Sequence, residues 1–115
     1  MEERTTWEIN GYSLPVDAED AAFMERYQTA SAAISNRKSA IKNEAEAIRT
    51  YCENYRIFFD ALFGNGTSEK LFANVPDNRR VYDEVFTSLL KVIFEQRLSS
   101  DLRLTEAVKR YAPTD

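Results

Sequence analysis

The sequence predicts a mainly α-helical domain, with a long heptad-striped helix or helical hairpin preceded by a short N-terminal β-hairpin. Three observations carry this expectation. Residues 17–63 contain neither proline nor glycine, the two residues that most disfavour a helix interior. Within that stretch apolar residues recur every seven positions, at Tyr27, Ile34, Ile41, Ile48, Tyr55 and Leu62. Ahead of it, Asn10-Gly11 separates two short segments of alternating apolar and polar residues, a strong local hairpin signal.

The elements follow in order over a single domain, 1–115. Residues 5–16 form the expected hairpin. Asn-Gly tolerates positive φ at both central positions of a type I′ turn, and a two-residue loop pairs Ile9 with Tyr12 and Trp7 with Leu14. An isolated hairpin is marginal in water, so its apolar face should rest on a helix. Asp17 can cap the next helix, with Glu19 and Asp20 adding negative charge to the first turn. Residues 17–63 are then one long helix or a broken one. A second row, Met24, Ser31, Lys38, Ala45, Cys52 and Phe59, lies three positions before the apolar row. Unbroken, the helix would be roughly 68 Å long at about 1.5 Å per residue. A compact domain of this size is only about 35 Å across. So the helix either breaks, most simply at Ser35-Asn36-Arg37, or protrudes and pairs with another chain.

Gly64 ends this helix. Thr67 or Ser68 caps a short helix over 67–73, and 74–78 form a turn. A helix over 78–98 carries too many apolar positions for one stripe, which implies burial on most sides. Ser99-Ser100-Asp101 provides the start of a last helix over 101–112, ahead of Pro113.

Composition excludes several function classes. There are 115 residues, with 15 basic and 19 acidic side chains for a net charge of −4, no histidine and one cysteine. Histidine is the commonest general base and metal ligand, and a single cysteine rules out an intrachain disulfide and a thiolate zinc site. The acidic balance argues against general nucleic-acid affinity. No apolar run is long enough for a membrane span, and Met1-Glu2-Glu3-Arg4 does not open a secretory signal. The expectation is a non-catalytic chain with no cofactor and no metal, acting on neither nucleic acid nor membrane.

Candidate chemistry is correspondingly thin. Cys52 lies inside the helical stripe with no histidine to activate it, so it reads as a small buried hydrophobe. The segment 64–68, Gly-Asn-Gly-Thr-Ser before a helix, has the outline of a phosphate cradle. It lacks the spacing, the Gly-Lys pair and the preceding strand of a P-loop, and reads as a tight corner. Glu44 and Glu46 do not face each other on a helix, and the pair Asp83 and Glu84 reads as a solvated face. Arg37-Lys38 with Lys42, and Arg79-Arg80, are weak basic clusters.

Aromatic density is the more informative signal. Seven phenylalanines and six tyrosines are many for this length. Several crowd the end of the long helix and the glycine corner. Tyr55, Phe59, Phe63, Gly64, Gly66, Thr67 and Phe72 are therefore the candidate protein-binding residues, since tyrosine and phenylalanine are enriched at interfaces.

Residues 55–72, YRIFFDALFGNGTSEKLF, resemble a pattern in small tail-morphogenesis proteins of phages and prophages of Gram-positive bacteria. That pattern is an aromatic-rich helix end, then Phe-Gly-x-Gly-Thr, then a short amphipathic segment ending in an aromatic. The resemblance, to phage tail assembly chaperones, implies a protein in the host bacterial cytoplasm. It would bind the tape-measure protein and keep it soluble until the tail tube forms, and would self-associate as a homo-oligomer through the heptad stripe. The alternative is a small phage-encoded inhibitor of a host enzyme or defence complex, acting by protein–protein binding.

Overall fold

A computed structural model describes residues 5–35 and 43–111. Two strands, β1 (Thr6–Ile9) and β2 (Tyr12–Pro15), precede four helices: α1 (Ala21–Ser35), α2 (Glu44–Phe63), α3 (Thr67–Leu71) and α4 (Arg79–Tyr111). The strands are antiparallel and set Trp7 opposite Leu14 and Ile9 opposite Tyr12, the register expected of a two-residue loop. Asn10 and Gly11 have φ of 50° and 83°, as the mirror-image turn requires. Trp7 is buried, and its indole N–H donates to Ser88 Oγ on α4 at 2.9 Å. The hairpin face therefore does rest on helices.

Residues 17–63 are not one continuous helix. Phe23 lies tilted against Phe63 with ring centroids 6.4 Å apart, and Tyr27 meets Phe58 edge-on at 5.8 Å. These pairs require α1 and α2 to run antiparallel as a helical hairpin. On a straight helix residues forty apart in sequence would be about 60 Å apart. Apart from Ser35, the last residue of α1, the expected break lies outside the described residues, as do Ile41, Arg37, Lys38 and Lys42. A fresh helix start is nevertheless visible. Asn43 adopts an extended backbone, and its side chain accepts from the Glu46 amide at 2.8 Å. Glu44 and Glu46 fall in that first turn, where the helix dipole favours acid. The heptad row is used internally. Tyr27, Ile34, Ile48 and Tyr55 pack against the core, and Leu62, Cys52 and Phe59 belong to it.

The start of α1 also differs from expectation. Asp20, rather than Asp17, accepts the Phe23 amide at 2.9 Å, while Asp17 holds the Glu19 amide in the preceding turn. The entry into α1 is fixed from across the fold. Gln96 on α4 accepts from the Ala18 amide at 2.7 Å and donates to the Val16 carbonyl at 2.8 Å.

The largest departure is α4. The sequence suggests a helix over 78–98 and another over 101–112, but the structure has one helix of 33 residues. Ser99, Ser100 and Asp101 are poor helix formers by only a few tenths of a kcal/mol each. No glycine or proline stands among them. Thr105 Oγ1 donates to the Asp101 carbonyl at 2.9 Å, four residues back, so the hydroxyl is accommodated within the helix. Asn78 caps the start, accepting from the Val81 amide.

Candidate protein-binding surface

The glycine corner sits between α2 and α3. Gly64 (φ 113°) closes α2 by donating its amide to the Asp60 carbonyl at 2.9 Å. Gly66 is left-handed (φ 92°) and occupies the cap position of α3 with no side-chain cap. The expected capping by Thr67 or Ser68 is not what forms. Instead the Asp60 carboxylate accepts from the Ser68 amide at 2.8 Å and from the Ser68 hydroxyl at 3.0 Å. The place where a phosphate cradle would present its amides already holds the protein's own carboxylate. That arrangement fixes the corner and leaves it no anion-binding role.

The aromatic residues at this corner form the interior. Phe59 is fully buried, and Phe72 stacks on Tyr82 with centroids 3.9 Å apart. Phe59 also stacks on Trp7 at 5.8 Å, and Phe63 lies within 6.5 Å of the same ring. Phe59 therefore offers a partner nothing in this conformation, and Phe72 no more than an edge at the floor of a groove beside Ile9 and Val75. Phe63 and Tyr55 are partly buried against the same core, and Gly64, Gly66 and Thr67 make up the turn. Among the seven, Tyr55 lines an apolar groove of about 310 Å³, together with Ile34, Tyr51, Phe58 and Phe86.

The polar groups around the core are paired. Asp83 accepts from both the Tyr51 and Tyr55 hydroxyls, and Arg79 lies over the Tyr51 ring at 4.8 Å. Burial, reinforced by Tyr51 and Asp83, pushes the Tyr55 hydroxyl far above its ordinary value; the hydrogen bond to Asp83 does the same more weakly for Tyr51. Arg56 donates to Asp77 at 2.8 Å and to the Tyr82 hydroxyl at 2.9 Å. Burial opposes the Arg56 charge, and these two bonds outweigh it. Cys52 is fully buried and its thiol is raised by desolvation, which disfavours the thiolate a nucleophile needs. Among the described residues no group of three or more cysteines and carboxylates is placed to hold a metal, and no helix is long and apolar enough to cross a membrane.

The exposed apolar surface lies elsewhere. Tyr82, Val85, Leu89 and Ile93 point into the core, and Gln96 and Arg103 continue that face through the Val16 and Ala18 bonds and an ion pair with Glu19. The opposite face of α4 carries Leu90, Phe94, Leu98 and Leu102, spaced four apart and all exposed, with Phe94 exposed over 66% of its surface. Val108 extends the patch at 58%, whereas Leu104, 64% exposed, falls on the side of Ile93 beyond the end of the core. The expectation that the 78–98 helix is buried on most sides is thus corrected. One layer of α2 and the hairpin covers one side of α4, and the molecule extends 67 Å along its longest axis. The signal was present in the sequence. At 100° per residue, positions 82, 85, 89 and 93 fall opposite positions 94, 98 and 102.

The fold and this surface define a small, mainly helical protein with an N-terminal β-hairpin and a C-terminal helix that is apolar on two faces. The chain belongs to a family of unknown function, DUF6673, whose model matches residues 10–114. No curated protein and no solved structure matches it.

Proposed function

We propose that this chain is a non-catalytic protein-binding protein of a phage, and specifically a tail assembly chaperone that holds the tape-measure protein in the host cytoplasm until the tail tube forms. The observation that carries the binding reading is the outward face of α4. Monomeric proteins rarely leave so continuous an apolar patch uncovered unless something docks on it. A helix in an apolar groove or against an apolar ridge is a recurring recognition mode, read out by residues three and four apart. A tape-measure protein is a long, apolar-striped helical filament, the kind of partner such a ridge suits. The tail-assembly assignment rests on the resemblance over residues 55–72. The net charge of −4 supports solubility of an otherwise aggregation-prone complex.

Co-expression with the tape-measure candidate tests the assignment. The expected result is a soluble complex that depends on this chain, and that is lost when Leu98 and Leu102 are both replaced by glutamate. A tape-measure protein equally soluble without this chain would refute it.

A further inference from the structure

We propose that, before any partner binds, the outward ridge of α4 is covered by a second copy of this chain, packed antiparallel to form a dimer. The inference shares the surface named above but does not depend on the partner's identity, and the two readings fail separately.

Area is the first argument. Leu90, Phe94, Leu98, Leu102 and Val108 are exposed over about a third to two thirds of their surface. At roughly 200 Å² for a large apolar side chain, they leave on the order of 500 Å² of apolar area uncovered. A standard interface covers about 800 Å² per partner, a little over half of it apolar. The ridge alone therefore meets the apolar requirement of a stable dimer.

Shape is the second. Residues four apart form a ridge inclined to the helix axis, and two such ridges interlock at a crossing of about 50°. Leu90, Phe94, Leu98 and Leu102 form a ridge of this kind, and an identical copy supplies the matching one.

Charge sets the direction. In an antiparallel pair centred level with residue 96, Leu90 lies level with Leu102 of the other copy and Phe94 with Leu98. The same register sets Lys91 level with Asp101. A parallel pair would place like charges together at each of these positions. Only the reversed copy pairs them, and by two-fold symmetry it does so twice.

Light scattering of the full-length chain across a range of concentrations tests the proposal. The expected mass is twice 13.3 kDa. Phe94→Glu or Leu98→Glu, at exposed positions that leave the fold intact by circular dichroism, should weaken association at least about tenfold. Lys91→Asp should weaken it less, and Lys91→Asp combined with Asp101→Lys should restore it. A chain that stays monomeric into the high-micromolar range overturns the proposal, as does a dimer that Phe94→Glu and Leu98→Glu leave unchanged. A monomer that instead sediments with anionic phosphatidylglycerol vesicles would assign the ridge to lipid, and also overturns it.

Discussion

The aromatic corner at residues 55–72 and the C-terminal half of α4 invert each other. The corner has the composition of an interface and is an interior. The end of α4 has the composition of an ordinary charged helix and is the exposed apolar surface. Aromatic enrichment alone does not separate the two cases, because large rings give the most burial per residue and a chain this short needs them for its core. What separates them is whether a second element lies over the face. The hairpin, α1 and α3 all converge on the end of α2, whereas beyond the Arg103–Glu19 ion pair the described fold supplies no cover for α4.

Substitutions should sharpen this contrast, with the largest effect at the corner. Phe59→Ala removes a fully buried ring that touches Trp7, Tyr55, Phe58, Phe63 and Phe72, and should lower unfolding free energy by about 3–5 kcal/mol in denaturant titration. Trp7→Phe keeps a ring but removes the donor to Ser88 Oγ and some buried volume, for a loss of about 1–3 kcal/mol. Gly11→Ala forces a side chain onto a backbone with φ of 83° and should cost about 1 kcal/mol without changing the core. At the other end of the scale, Leu98→Glu should change the stability of the monomer by no more than about 0.5 kcal/mol while weakening association at least about tenfold.

Alkaline pH provides a different way to probe the corner. Tyr55, Tyr51 and Tyr82 all ionise above the ordinary tyrosine value of 10.0, Tyr55 and Tyr82 chiefly through burial and Tyr51 through its bond to Asp83. A raised folded-state value means that the unfolded chain gives up these protons first. The stabilisation is therefore complete below about pH 10 and is lost as pH rises through the folded-state values. Following unfolding and tyrosinate absorbance together should show the two rising in step, with Tyr55→Phe ionising one fewer group in that transition.

Local rules made much of the fold legible. Asn10-Gly11 fixed the hairpin and its register, because positive φ at two successive positions has few other causes. The proline- and glycine-free stretch with its seven-residue spacing correctly gave helix, and the length argument correctly raised a hairpin as one of two outcomes. Choosing between them required the contacts of Phe23 with Phe63 and Tyr27 with Phe58, which are tertiary and leave no local trace. The continuity of α4 is hidden because Ser99-Ser100-Asp101 has the chemistry of a cap, yet its weak helix propensity does not outweigh an uninterrupted apolar pattern. The exposed surface is hidden for a related reason. Apolar residues around the whole circumference of 81–98 imply burial on most sides, whereas they serve two faces with different fates.

Amide hydrogen exchange along the full-length chain, at a dilute and a concentrated condition, tests the central claim most directly. The account predicts strong protection of 58–62 and 82–93 at both concentrations. It predicts weak protection of 98–110 in dilute solution, rising when the protein is concentrated and the two ridges meet. Uniform, concentration-independent protection along the whole of α4, or rapid exchange at the aromatic corner, would contradict it.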